Sequence, residues 1–147
     1  METEPVLLDT NLLIYASDAD SPYHDAARTV RDQIEARQAH GCLTPQVLYE
    51  FYSVVTGHHG RPPRVTPAQA SGEIETYLRA GYRMIYPRAD TLAHALRLAR
   101  DTGVTGQGLY DCVLAATALD NGVSLIYTAN TADFQFPGLR AVNPLRS

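Results

Sequence analysis

The chain has 147 residues, 45% of them hydrophobic and 19% charged, enough for one domain with a real core and ordinary for a soluble globular protein. A net charge of -4 argues against a basic module that coats nucleic acid. No apolar run approaches the roughly 18–20 residues of a membrane span, and acids precede the first apolar run, so no signal peptide is expected.

In chain order, "PVLLD" reads as a first strand and "TNLLIYA" as a helix start, with Asp9 between them. "SPYHDAARTVRDQIEARQAH" reads as a helix capped by Ser21 with Pro22 in its first position. "GCLT" is a short second strand, and Thr44 and Pro45 repeat the cap-and-proline signal before "PQVLYEFYSVVT". "GHHGRPPR" reads as a loop from its glycines and prolines. Thr66, Pro67 and Gln69 form a capping box opening "PAQASGEIETYLRA". "RMIYP" is a third strand. The helices "ADTLAHALRLARDTG" and "GLYDCVLAATALDNG" follow, closed by Gly103 and Gly122. "SLIYT" is a fourth strand and "LRAVN" an edge strand. Short apolar strands alternating with helices predict an α/β fold, a single domain over 1–147 with a short, mainly parallel central sheet. In such sheets ligands bind outside the carboxyl ends of the strands.

Four acids stand out against that frame. Asp9 ends the first strand, where it also suits a helix cap. Glu50 shares a helical face with Val47 and Val54, a costly place for an ionised group without a partner. Asp111 lies in the first turn of its helix, favoured there by the helix dipole, yet on the face of Leu114, Ala115 and Ala118. Asp133 sits in the loop after strand four, where alone it reads as an ordinary turn residue. Clustered carboxylates repel unless a cation sits among them, and hard oxygen donors without His or Cys select Mg²⁺ or Mn²⁺. That combination describes a metal-assisted phosphodiesterase. His58 and His59 have no third ligand at a recognisable spacing and read as solvated loop residues. Cys42 and Cys112 form neither a metal cluster nor a disulfide framework, so a reduced, cytoplasmic protein is expected.

"VLLDTNLLIYA", "VLYEFYSVVT", "LYDCVLAATAL" and "LIYTANTADF" together resemble the PIN-domain ribonucleases, and most closely the VapC-type toxins of bacterial toxin–antitoxin pairs. The resemblance implies a three-layer α/β/α fold. It implies that Asp9, Glu50 and Asp111 bind Mg²⁺ or Mn²⁺, with Asp133 completing the site directly or through water. Asn11 and Thr128 match residues that orient the carboxylates and the substrate. Asn130 stands where many relatives outside the toxin group carry an acid, and an asparagine hydrogen-bonds there without adding charge for a second metal. An RNA substrate (tRNA, rRNA or mRNA), a cognate antitoxin protein and a homodimer are implied as partners. Arginines of the "GRPPR" segment, Arg61 and Arg64, with Arg79, Arg83 or Arg88, are candidates to contact the RNA backbone.

Three rivals share parts of this pattern. Phosphoaspartyl phosphatases and receiver domains also place an aspartate after strand one, but they depend on a lysine, and all twelve basic residues here are arginines. A catalytically inactive PIN-like module that binds RNA or protein is the alternative for the same fold. The structure-specific DNA nucleases of this architecture are much longer and carry a helical clamp.

Overall fold

In a computed structural model that describes residues 3–57 and 65–146, the chain forms a five-stranded sheet, and every pairing in it is parallel. The strands are β1 (Pro5–Leu8), β2 (His40–Leu43), β3 (Arg83–Met84), β4 (Leu125–Tyr127) and β5 (Arg140–Val142). Parallel neighbours need crossovers. These are supplied by α1 (Thr10–Ser17) and α2 (His24–Glu35), by α3 (Pro45–Thr56) and α4 (Pro67–Arg79), and by α5 (Thr91–Thr102) and α6 (Gly108–Asp120). A single 3₁₀ turn, Thr131–Phe134, leads towards β5.

The strand order is β3-β2-β1-β4-β5. The chain moves outward from β1 to β3, then returns across the sheet to β4. Right-handed crossovers therefore put α1–α4 on one face and α5–α6 on the other, in accord with the packing of α1 on α2 and α3, of α3 on α4, and of α5 on α6. The order reverses between β1 and β4, which makes the carboxyl ends of those two strands the topological switch point. This is the expected α/β architecture with its parallel sheet. No helix among the described residues is long and apolar enough to cross a membrane.

Local signals place most boundaries. The Thr44 hydroxyl accepts the Val47 N–H at 3.1 Å with Pro45 in the first turn. Thr66 and Gln69 close a reciprocal capping box. Gly103 and Gly122 adopt φ of +75°, where an L-residue would be strained.

Three boundaries depart from expectation. The second helix starts at His24, because Ser21 closes a turn instead, its hydroxyl accepting the Tyr23 N–H and its carbonyl the His24 N–H. The same helix stops at Glu35, with Arg37 at φ 61° turning the chain into β2. The third strand keeps only two residues, although the Ile85 N–H still donates to the Leu43 carbonyl at 2.9 Å. Pro87 then has no N–H to continue a ladder.

The core lies on both faces of the sheet, with Leu7, Leu43, Val47, Phe51, Ala115, Ile126 and Phe134 fully enclosed. α2 lies so close to β2 that a Cβ on Gly41 would meet Ile34 Cγ2 at 2.7 Å and Tyr82 Cδ1 at 3.0 Å. Gly41→Ala should therefore lower unfolding free energy by about 1–3 kcal/mol through overpacking, read as a fall in the urea midpoint at unchanged m-value.

Candidate active site at the strand switch point

Asp9 follows β1 and continues its ladder, its N–H donating to the Tyr127 carbonyl at 3.0 Å. It is also the N-cap of α1, with Oδ1 accepting the Thr10 N–H at 2.8 Å. The expected helix-cap role is thus real and occupies only one of its two oxygens. Oδ2 accepts from the Thr128 hydroxyl at 2.7 Å and from Asn11 Nδ2 at 3.3 Å. Thr128 is 0% exposed and Asp9 9%. These contacts join the two central strands where the chain order reverses.

The loop after β4 is tied to the same point. Asn11 Oδ1 accepts the Ala129 N–H at 3.2 Å, and the Thr128 hydroxyl accepts the Asn130 N–H at 3.0 Å. The Asn130 carbonyl accepts the Asp133 N–H at 3.0 Å, forming the 3₁₀ turn that carries Asp133. Buried Phe134 pins the far side of the turn and packs edge-on against Phe136. Asn130 itself contributes backbone groups to this loop, and its side chain is solvent-exposed.

Glu50 does not share the buried face of its helix. The buried stripe of α3 is Val47, Leu48, Phe51 and Val55, and Glu50 is exposed. At 3.6 residues per turn it sits about 115° from the centre of that stripe, which turns its carboxylate towards the crevice. Two polar residues steady it there. Thr10 Oγ1 donates to Oε2 at 2.8 Å, and Gln46 Nε2 donates to Oε1 at 3.1 Å. Gln46 Nε2 also donates to the Tyr110 carbonyl at 3.1 Å, linking α3 to the first turn of α6. Sequence reasoning missed both residues. Thr10 stands inside the D-T-N already singled out, and Gln46 lies one turn before Glu50, so spacing alone could have nominated them.

Asp111 is half-buried in the first turn of α6. Burial pushes its pKa up to about 6, and Asp133, Asp9 and Glu50 add to the rise in that order. Burial also raises Asp9. The Thr128 hydroxyl and Thr10 N–H oppose that rise, and Glu50 and Asp133 reinforce it. The four acids thus lie within electrostatic reach of one another. The groups that move Asp111 are all acids, with no cation among them.

Such a set fits a hard dication. The donors are carboxylate oxygens, and the charge they concentrate is what a bound Mg²⁺ or Mn²⁺ would neutralise. Among the described residues no three His, Cys, Asp or Glu side chains already close on a common point as a coordination shell. The cluster is an open one, suited to an ion that keeps several of its waters.

The candidate arginines divide. Arg83 and Arg88 donate to the Asn121 and Asp120 carbonyls at 3.3 and 3.1 Å, neutralising the carboxyl end of α6. Asp111 is at the opposite end of that helix, so these two serve the fold and not the crevice. Arg79 pairs with Glu75 on the exposed side of α4. Arg61, Arg64, His58 and His59 lie outside the described residues.

A parallel α/β sheet whose switch-point crevice is walled by carboxylates, with Asp9 and Glu50 steadied by hydroxyls and amides, is the class of domain that this geometry defines. The PIN domain model matches residues 6–136, and the chain belongs to that family. It is similar to Ribonuclease VapC24 of Mycobacterium tuberculosis, with 27% identity over 141 residues covering 95% of this chain and 97% of that protein. The fold is also that of VapBC2 from Rickettsia felis, solved on a DNA fragment from its promoter, at TM-score 0.69, 18% identity and coverage of 95% and 98% of the two chains. VapC20 of Mycobacterium tuberculosis, a toxin that cleaves the sarcin-ricin loop, matches at TM-score 0.64 and 16% identity over 92% of this chain and 98% of that one.

Two measurements probe the electrostatics. Between pH 4 and 6 the folded chain keeps a proton on Asp111 that the unfolded chain has released, because its pKa of about 6 lies above the ordinary 3.8. Stability in EDTA should therefore fall as pH rises through that window. Urea titrations at pH 4, 5, 6 and 7 check the sign, and a rise over the window contradicts it. Thr128→Val should cost about 1–3 kcal/mol by taking a hydroxyl from a buried carboxylate, measured by the same titrations at pH 7.

Proposed function

We propose that this protein is a Mg²⁺- or Mn²⁺-dependent endoribonuclease that serves as the toxin of a type II toxin–antitoxin pair. The observation that carries this reading is the gathering of Asp9, Glu50, Asp111 and Asp133 at the switch point, with burial and mutual repulsion acting on Asp9 and Asp111. Membership of the PIN family and the likeness to a named ribonuclease support it.

In the proposed mechanism Asp9, Glu50 and Asp111 hold the ion, and Asp133 completes the site directly or through water. When bound, such an ion draws charge from a non-bridging phosphate oxygen and lowers the pKa of a water. The chain's own residues do the rest. Thr128, Asn11 and the Thr10 N–H fix both oxygens of Asp9. Thr10 and Gln46 fix Glu50. Asp133, exposed at the rim, orients the attacking water and accepts its proton. In-line attack leaves a 5′-phosphate and a 3′-hydroxyl, and no side-chain nucleophile is needed. Asn130 ties the loop without contributing charge.

The substrate is single-stranded or looped RNA, a class consistent with the loop-cleaving activity named for VapC20. Arg61 and Arg64 remain candidates for its backbone. A cognate antitoxin is the expected protein partner, as in the VapBC assemblies that share the fold. A homodimer is proposed as well, and Tyr86, Leu92 and Leu96 supply exposed apolar side chains for it.

Asp9→Asn and Asp111→Asn should each lower metal-dependent RNA cleavage by more than about 100-fold, beyond the 10–100-fold typical of residues that only support ligands. Circular dichroism should show the fold retained. EDTA should stop cleavage by the native chain, and added Mn²⁺ should restore it. Full activity in either variant removes that residue from the ion site.

A further inference from the structure

We propose that the groove between α3 and α6 is a nucleobase subsite of the same centre, in which Tyr49 and Tyr110 stack on unpaired bases beside the scissile phosphate. This rests on the ribonuclease reading and names how the substrate is gripped. The groove has a volume of about 850 Å³, and its walls include Gln46, Tyr49, Glu50, Ser53, Gln107 and Tyr110. That lies within the roughly 300–1,000 Å³ of small-ligand sites.

Three observations favour a base as the occupant. Each tyrosine immediately precedes a carboxylate of the cluster, Tyr49 before Glu50 on α3 and Tyr110 before Asp111 on α6. Both rings are free to receive a partner, at 75% and 58% exposed. Consecutive helical residues diverge by about 100°, so the acids face the crevice and the rings flank it.

Gln46 is the second observation. It donates to both Glu50 and the Tyr110 carbonyl, so one side chain couples the groove wall to the carboxylate geometry. Its own carbonyl oxygen, the Gln107 amide and the Ser53 hydroxyl offer hydrogen bonds suited to the edge of a base.

The third is charge. Among the described residues of the lining Glu50 is the one charged side chain, with no arginine or histidine beside it. A phosphate gains nothing in such a groove. A planar, neutral base gains stacking on aromatic faces, which is how proteins hold single-stranded RNA.

The test uses the full chain and a methylphosphonate-linked dinucleotide carrying 2-aminopurine. Its neutral backbone is not repelled by the carboxylates and needs no metal, so the readout is independent of hydrolysis. The native chain should quench 2-aminopurine fluorescence in EDTA. Tyr49→Ala and Tyr110→Ala should each weaken binding roughly 5- to 150-fold, and Tyr49→Phe and Tyr110→Phe should retain it. Mn²⁺ should raise the Tm of the phenylalanine variants as much as that of the native chain. No quenching by the native chain, or equal quenching by the alanine variants, overturns the subsite. If quenching is lost together with a shift from dimer to monomer in sedimentation, a second copy occupies the groove and the subsite is overturned. Quenching that behaves as expected, in a chain that cleaves no RNA with Mn²⁺, upholds the base site and rejects the nuclease reading alone.

Discussion

The arrangement depends on one buried carboxylate. Asp9 is enclosed at the end of the central strand, and its two oxygens receive hydrogen bonds from the start of α1 and from the strand end that the chain reaches 119 residues later. Burying a carboxylate costs several kcal/mol unless such donors repay it. Here the donors are few and the neighbouring charges are of the same sign, so Asp9 remains raised. A chain selected only for stability would place an apolar residue there. An acid there, with Glu50, Asp111 and Asp133 near it, is a local conflict of the kind that functional sites carry, and it makes this cluster the candidate site.

Topology explains why these acids meet although sequence scatters them. Asp9 and Thr128 end neighbouring parallel strands, so their side chains emerge at the same edge of the sheet. Asp111 lies in the first turn of α6, which runs back over the sheet towards the start of β4, so its amino end stands above the strands' carboxyl ends. Glu50 arrives on α3, which leaves the carboxyl end of β2 after the Thr44 cap. Each acid is placed by a different crossover. The reversal of strand order between β1 and β4 opens the crevice they share.

Signals carried by adjacent residues were legible in the sequence. The Thr44-Pro45 start, the Thr66–Gln69 box, the glycine stops and the strand-end position of Asp9 all became structure as read. Ser21 carried the same cap signal and failed, because its hydroxyl closes a turn at Tyr23 before the helix begins. Glu50 failed differently. Val47 and Val54 bracket it at helical spacing, but the buried stripe runs through Leu48, Phe51 and Val55, and which flank meets the core is decided by packing partners outside the helix. The supports were less legible for the same reason. Thr10 reaches Glu50 across 40 residues, and Gln46 reaches Tyr110 across 64. Local spacing nominates these residues, beside Asp9 and one turn before Glu50, but it does not name partners at that separation.

The sign of the charge leaves one problem for any account of RNA binding. The chain is acidic overall, its crevice is walled by carboxylates, and two of its candidate cations are spent on the carboxyl end of α6. A bare phosphodiester is repelled from such a surface, whatever the chemistry waiting there. A dication removes the repulsion at the scissile phosphate but not along the flanking backbone, because Coulomb interactions between exposed charges persist over about a Debye length of 8–10 Å. Contacts that carry no charge escape this penalty. Exposed tyrosines beside the acids are contacts of that kind, and their adjacency to Glu50 and Asp111 ties grip to chemistry on the same two helices. In the proposed reading, an acidic enzyme holds an acidic polymer by its bases and reserves electrostatics for the one phosphate to be cut.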